Sequence, residues 1–190
     1  MKLLALLLIS MQLAAEPVED IHQQIEQYIG HREFAESFQT GDVYQITLAE
    51  DLRGIKSENH FKLDVTVNGS AARIGSSTVT AQEWAAWHGN FGRSITNFAQ
   101  EMGIKLEMRV LDLVEARVMV NGRPARLGGI KVEYYGANAL GTPFKGELVL
   151  TGSLPGQAQI VYRREVHAGI TRTWTLTHFS RVSGGSGTNR

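Results

Sequence analysis

Two periodicities divide this chain. Between Thr80 and Gly103 the apolar residues Trp84, Trp87, Phe91, Ile95, Phe98 and Met102 recur at steps of three and four, which lines up one face of an α-helix. Thr80 stands three residues before Glu83, the spacing of a capping box in which each side chain satisfies a backbone N–H of the first turn. Gly103 suits a left-handed C-terminal cap. The pattern predicts an amphipathic helix over 80–103. Gly89 and Gly92 within it each cost about 1 kcal/mol relative to alanine and mark a kink or a close backbone approach. A second helical stretch runs from Pro17 to about Phe38, with Ile21, Ile25, Tyr28 and Ile29 as its stripe and Gly30 as a break.

Elsewhere the period is two. Val43–Leu48 reads as a short strand, and the charged residues 49–60 read as a loop. Phe61, Leu63, Val65 and Val67 alternate with Lys62, Asp64 and Thr66 up to Asn68-Gly69, a hairpin signal because a type I′ turn needs positive φ at both central residues. The phrase VTVNGSAARIG (65–75) returns as VMVNGRPARLG (118–128), predicting a second hairpin at Asn121-Gly122. The repeat fits either a duplication with a period of 53 residues or convergence on a good hairpin. The second copy is followed by a strand and not by a helix, which weighs against duplication.

From Ile104 onwards the chain reads as consecutive strands. The alternation of Ile104, Leu106, Met108 and Val110 shifts phase near Leu111–Leu113, which predicts a bulge. Strands follow at 130–135, 144–151, 158–166 and 170–179, with turns at Leu154-Pro155-Gly156 and Ala168-Gly169. Taken together, an N-terminal helix and a central amphipathic helix packed on a curved antiparallel sheet are expected, an α+β fold. The element order resembles that of cystatin-like and NTF2-like domains, with no residue-level motif tying the chain to either. A β-sandwich or half-barrel for the C-terminal half is the alternative.

Composition narrows the setting. Residues 1–15 have the layout of a secretory signal peptide: Lys2, an apolar run from Leu3 to Ile9, and small residues at Ala14-Ala15. Residues 16–182 are then one globular domain and 183–190 (SGGSGTNR) a flexible tail. No later segment is apolar enough for a transmembrane helix. Export without cysteine suits a bacterial periplasm and excludes thiol nucleophiles and Cys-type zinc sites. The net charge of zero is unevenly spread. Residues 16–60 carry ten acids against three bases, and residues 61–190 nine acids against fifteen bases. Either an acidic segment packs on a basic body, or a basic face awaits an anionic partner.

Candidate chemistry is sparse. Trp84, Trp87 and Phe91, with His88 beside them, are the candidate ligand-binding residues of an apolar pocket, against the plainer reading of core packing. His88 is the one candidate general base. Arg163, Arg164 and Arg172 form a candidate anion-binding ladder across one hairpin, against that of a solvated face partnered by acids. The six histidines show no paired metal-ligand spacing, no G-x-S-x-G elbow is present, and no Gly-rich loop leads into a helix, so no metal or cofactor is expected. Nucleic acid is not an expected partner of a neutral exported chain. The expected function is that of a periplasmic, non-enzymatic accessory or assembly protein that binds another envelope protein through a free sheet edge. A carrier of a small apolar ligand or lipid, with its pocket floored by the 80–103 helix, is the alternative.

Overall fold

Five tight turns set the architecture. The computed structural model describes residues 18–88, 105–137 and 140–182. Arg53-Gly54, Asn121-Gly122 and Ala168-Gly169 each have positive φ at both central residues, the type I′ geometry that matches strand twist. Gly69 and Gly75 have positive φ while Ser70 and Ser76 do not, the type II′ signature.

The two similar phrases therefore fold differently. In the first, Asn68 pairs with Ala71 around a Gly69-Ser70 loop, and Val65 faces Ile74. In the second, Val120 pairs with Arg123 around Asn121-Gly122, and Val118 faces Ala125. The expected type I′ turn at Asn68-Gly69 is thus displaced by one residue. Pro124 supplies a reason. In the first register it would close the hairpin opposite Asn121, where a backbone N–H is needed. In the observed register it faces Met119 and no N–H is missed.

The elements run α1 (Val18–Ile29), α2 (Phe34–Ser37), β1 (Val43–Leu52), β2 (Ile55–Asn68), β3 (Ala71–Ile74), β4 (Ser77–Thr80), α3 (Ala81–His88), β5 (Lys105–Val120), β6 (Arg123–Ala137), β7 (Pro143–Leu150), a 3₁₀ turn (Gly156–Gln159), β8 (Ile160–His167) and β9 (Ile170–Ser180). The strands form one sheet in the order β4-β3-β2-β1-β9-β5-β6-β7-β8, with β8 also pairing to β9. One edge of β9 pairs with β1 from Ile170 to Ser180. Its other edge is shared, with β8 taking Ile170–Thr175 and β5 taking His178 and Phe179. So β5 to β9 close into a ring. A meander of five strands brings its first and last strands together in the same direction, and the β5–β9 pairing is indeed parallel. The bulge expected near Leu111 is present, as a register shift between Val110 and Asp112.

This sheet overturns the expected α+β fold built on a long amphipathic helix. Sheet dominates, and the three helices described are short. The physical reason lies in residues 49–60, expected as a loop but forming a long β1–β2 hairpin, and in strands 105–120 and 123–137, each longer than expected. The capping box at the start of α3 does form. Thr80 N–H donates to Glu83 Oε2 at 2.8 Å, and Glu83 N–H donates to Thr80 Oγ1 at 3.1 Å. The remainder of the expected helix, from Gly89 to Gly103, lies outside the described residues. Hydrogen bonds from the Thr80 backbone and hydroxyl hold the Glu83 carboxyl below its usual range. A depressed carboxylate stabilises the fold above its unfolded pKa, and that stabilisation is lost as pH falls through the lower folded value. Glu83→Gln is therefore expected to flatten part of the acid limb of the stability–pH curve, read by thermal melts between pH 3 and 7.

Two apolar clusters support the sheet. Ile25 and Ile29 of α1 bury against Ile130, Val132 and Tyr134 of β6 and Leu148 and Leu150 of β7. Phe38, Trp84, Tyr44, Val65, Ile74, Leu154, Val161, Leu176 and Phe179 form the other cluster, under α2 and α3. The acidic N-terminal segment packs on the basic body through Asp42–Arg181 and Glu50–Arg172. Among the described residues no helix is long and apolar enough to cross a membrane.

Candidate functional site

Two features of this sheet bear on function: a strand edge left open among the described residues and the interior of the ring.

The edge belongs to β2. Leu52 and Ile55 flank the type I′ turn, and such a closing pair is hydrogen-bonded. Odd-numbered residues of β2 therefore direct their backbone N–H and C=O at β1, and even-numbered residues direct theirs the other way. The Gly75 N–H, which donates to the Asp64 carbonyl at 3.2 Å, agrees with this assignment. β3 covers that edge only over Val65–Asn68. Among the described residues no strand pairs with it at Lys56, Glu58, His60 and Lys62.

Every residue from Ile55 to Lys62 is exposed, and Ile55 and Phe61 are 74% and 44% exposed. Ile55, Ser57, Asn59 and Phe61 share one face; Lys56, Glu58, His60 and Lys62 share the other. Glu58 and His60 are in exposed contact at 3.3 Å, and Lys62–Asp64 is an exposed ion pair at 3.3 Å, of the kind that contributes little to stability.

The ring interior follows from register. Lys131, Val149, Tyr162 and Thr175 lie in one row across β6, β7, β8 and β9; Glu133, Glu147, Arg164 and Thr173 lie in the next. α1 packs on the opposite face of β6 and β7, so these two rows face inwards. A cavity of about 370 Å³ sits there, lined from all five strands, with Val114, Ala116, Val118, Val149 and Val161 as its apolar part. Lys131 Nζ contacts Glu147 Oε2 at 2.5 Å, and Arg164 Nη1 lies 3.5 Å from Glu147 Oε1. The hydrogen bond from Lys131 holds the Glu147 carboxyl below its usual range. Arg109 closes on Glu133 at 2.7 Å.

The residues singled out from sequence distribute as follows. Trp84 is buried, edge-on to Phe38 at 4.9 Å, and its Nε1–H donates to the Arg32 carbonyl at 3.4 Å, a core position. The side chains of Trp87 and His88, and all of Phe91, lie outside the described residues. The three arginines do not share a face. Arg163 and Arg172 lie on the outer side, where Arg163 bonds Glu165 and stacks on Trp174 at 5.0 Å, and Arg172 bonds Glu50 at 2.8 Å. Arg164 faces inwards. Sequence reasoning missed Lys131 and Tyr162, and reached Glu147 only as a strand acid eligible to pair with Glu133. The signal for them was the threonine alternation in β9, which marks a polar inner row. Among the described residues no group of three or more His, Cys, Asp or Glu is placed to hold a metal.

Comparison of the chain with protein-family models, curated proteins and solved structures finds no match.

Proposed function

We propose that this is an exported accessory protein that binds another envelope protein, and that the open edge of β2 receives an extended segment of that partner by strand addition. The observation supporting this reading is a stretch of eight consecutive exposed edge residues, Ile55–Lys62, with outward backbone donors and acceptors at Lys56, Glu58, His60 and Lys62. Main-chain hydrogen bonds along such an edge supply affinity, and alternate side chains supply selectivity. Ile55 and Phe61 offer apolar contacts on one face, while the charges opposite guard against indiscriminate pairing. The leader-like run Leu3–Ile9 supports export, with the periplasm as the compartment.

Proline separates this reading from a merely solvated hairpin. At Glu58 the N–H points outwards, so Glu58→Pro leaves the β1–β2 ladder intact and is expected to lower stability by no more than about 1 kcal/mol. At Phe61 the N–H points at β1, so Phe61→Pro is expected to cost about 3 kcal/mol or more. A photo-crosslinking residue at Ser57, used in an exporting cell, should capture a defined envelope protein, and Glu58→Pro should abolish that adduct while the melting temperature holds. An adduct pattern unchanged by Glu58→Pro would sink the strand-addition reading.

A further inference from the structure

The interior of the ring is built in a way that core packing does not require. Five strands could close over valines alone, and Val114, Val118, Val149 and Val161 do line part of this ring. The same face also carries Lys131, Tyr162 and Thr175 in the row of Val149, and Glu147, Arg164 and Thr173 in the next. Lys131, Glu147 and Arg164 keep 32%, 25% and 42% of their side chains exposed, so they line an open part of the ring and not its packed core. A cavity of about 370 Å³ is lined by both kinds of residue, within the range of small-molecule sites.

Hydrogen-bonding capacity indicates what the cavity accepts. Both oxygens of Glu147 are engaged, Oε2 by Lys131 and Oε1 by Arg164. The acceptor at the centre is therefore already taken. The donors are not exhausted: an ammonium has three N–H groups and a guanidinium five, against the two Glu147 oxygens that Lys131 and Arg164 share. Tyr162 and Thr175 line the same space, and each carries a hydroxyl donor. A site with spare cationic donors over an apolar floor matches an anionic head on a short apolar tail.

We propose that this cavity binds a small organic carboxylate. Its carboxylate takes the remaining donors of Lys131, with Tyr162 and Thr175 beside it, and its tail lies along Val114, Val118 and Val149. The site is distinct from the β2 edge, so it stands or falls independently of strand addition.

Hexanoate is a suitable probe, with hexylamine as the charge-reversed control, titrated into the purified ¹⁵N-labelled protein. Saturable amide shifts are expected at Val114, Lys131, Val149, Tyr162 and Thr175 with hexanoate and none with hexylamine. Charge-assisted hydrogen bonds to one cation are worth a factor of about ten or more, so Lys131→Met should weaken hexanoate binding by at least that. Lys131→Arg should retain most of it. Because Lys131→Met also unpairs Glu147, Val149→Phe serves as a second variant. It keeps every charge and fills the floor, and it should abolish the shifts. Equal binding of hexylamine, shifts scattered outside the ring, or the absence of saturation by hexanoate would overturn the proposal. So would wild-type affinity in a folded Lys131→Met or Val149→Phe variant.

Discussion

Replacing Arg181 with alanine is expected to lower the stability of the protein by about 3–5 kcal/mol, the cost of leaving one member of a buried ion pair without its partner. Asp42 is 0% exposed and Arg181 21% exposed at the side chain. The guanidinium makes a two-point contact, Nε to Asp42 Oδ1 at 2.8 Å and Nη2 to Oδ2 at 2.6 Å. It also donates to the carbonyls of Glu36 at 2.9 Å and Ser37 at 3.3 Å, which are among the C-terminal carbonyls left open by the short helix α2. The backbone N–H of Arg181 donates to Asn121 Oδ1 at 2.8 Å, and the Asn121 N–H donates to the Phe179 carbonyl at 2.9 Å. One residue thus ties α2, the turn before β1, the end of β9 and the β5–β6 turn where the ring closes.

Urea denaturation would read the loss directly, as a lower midpoint with an unchanged slope. Arg181→Lys should recover only part of it, because an ammonium cannot reproduce the planar fork. The double variant Arg181→Ala/Asp42→Ala should be less damaged than the sum of the singles, since it removes the orphaned carboxylate as well. A loss below about 1 kcal/mol in Arg181→Ala would mean that the pair behaves as an exposed one.

Gly156→Ala is expected to be nearly as damaging, for a steric reason. Gly156 has φ +55°, a left-handed conformation that costs about 1–2 kcal/mol for a residue with a β-carbon. A β-carbon there would also lie 2.5 Å from the Ser37 carbonyl oxygen and 3.0 Å from the Phe38 ring. The first contact is with backbone and cannot be relieved by a rotamer change. Overpacking in a tight core adds about 1–3 kcal/mol, for a total of roughly 2–5 kcal/mol. Tyr44 and Ser37 are buried beside this contact, so the disturbance should reach the β1–β9 seam. Thermal unfolding of Gly156→Ala beside Gly69→Ala separates the two effects. Gly69 has φ +60° with nothing within 4 Å of an added β-carbon, so its alanine variant should show the backbone cost alone. Equal losses at the two positions would remove the steric argument.

Local chemistry made several elements legible in the chain. Thr80 and Glu83 announced a helix start, and their reciprocal hydrogen bonds form. The phase shift after Val110 announced the bulge, and Asn121-Gly122 and Ala168-Gly169 announced their turns. The β1–β2 hairpin was hidden because its outer half has no fully buried side: Ala49, Glu50 and Asp51 are half-buried and Leu52–His60 are exposed. Without a buried side, Ala49–His60 shows no apolar alternation, and its turn uses Arg53 at φ 57°, where no propensity rule looks for it. The candidate sites were harder still to read. Lys131 and Glu147 are sixteen positions apart and meet only across β6 and β7, and Arg164 joins them from β8. No spacing in the chain encodes such a cluster.

Sequence by itself determined the Thr80–Glu83 cap, the Asn121-Gly122 and Ala168-Gly169 turns and the bulge after Val110, because those choices rest on φ preferences and hydrogen bonds among neighbouring residues. It also marked the acidic segment and the basic body that Asp42–Arg181 and Glu50–Arg172 join. Tertiary structure alone decided that β9 divides one edge between β8 and β5, and so closes a ring. It alone decided that β2 keeps an edge that no described strand covers at Lys56–Lys62, and that one face of the ring strands becomes an interior. Those outcomes depend on strand neighbours brought together from distant parts of the chain, where the energy lies in long-range pairing and burial and not in any local pattern.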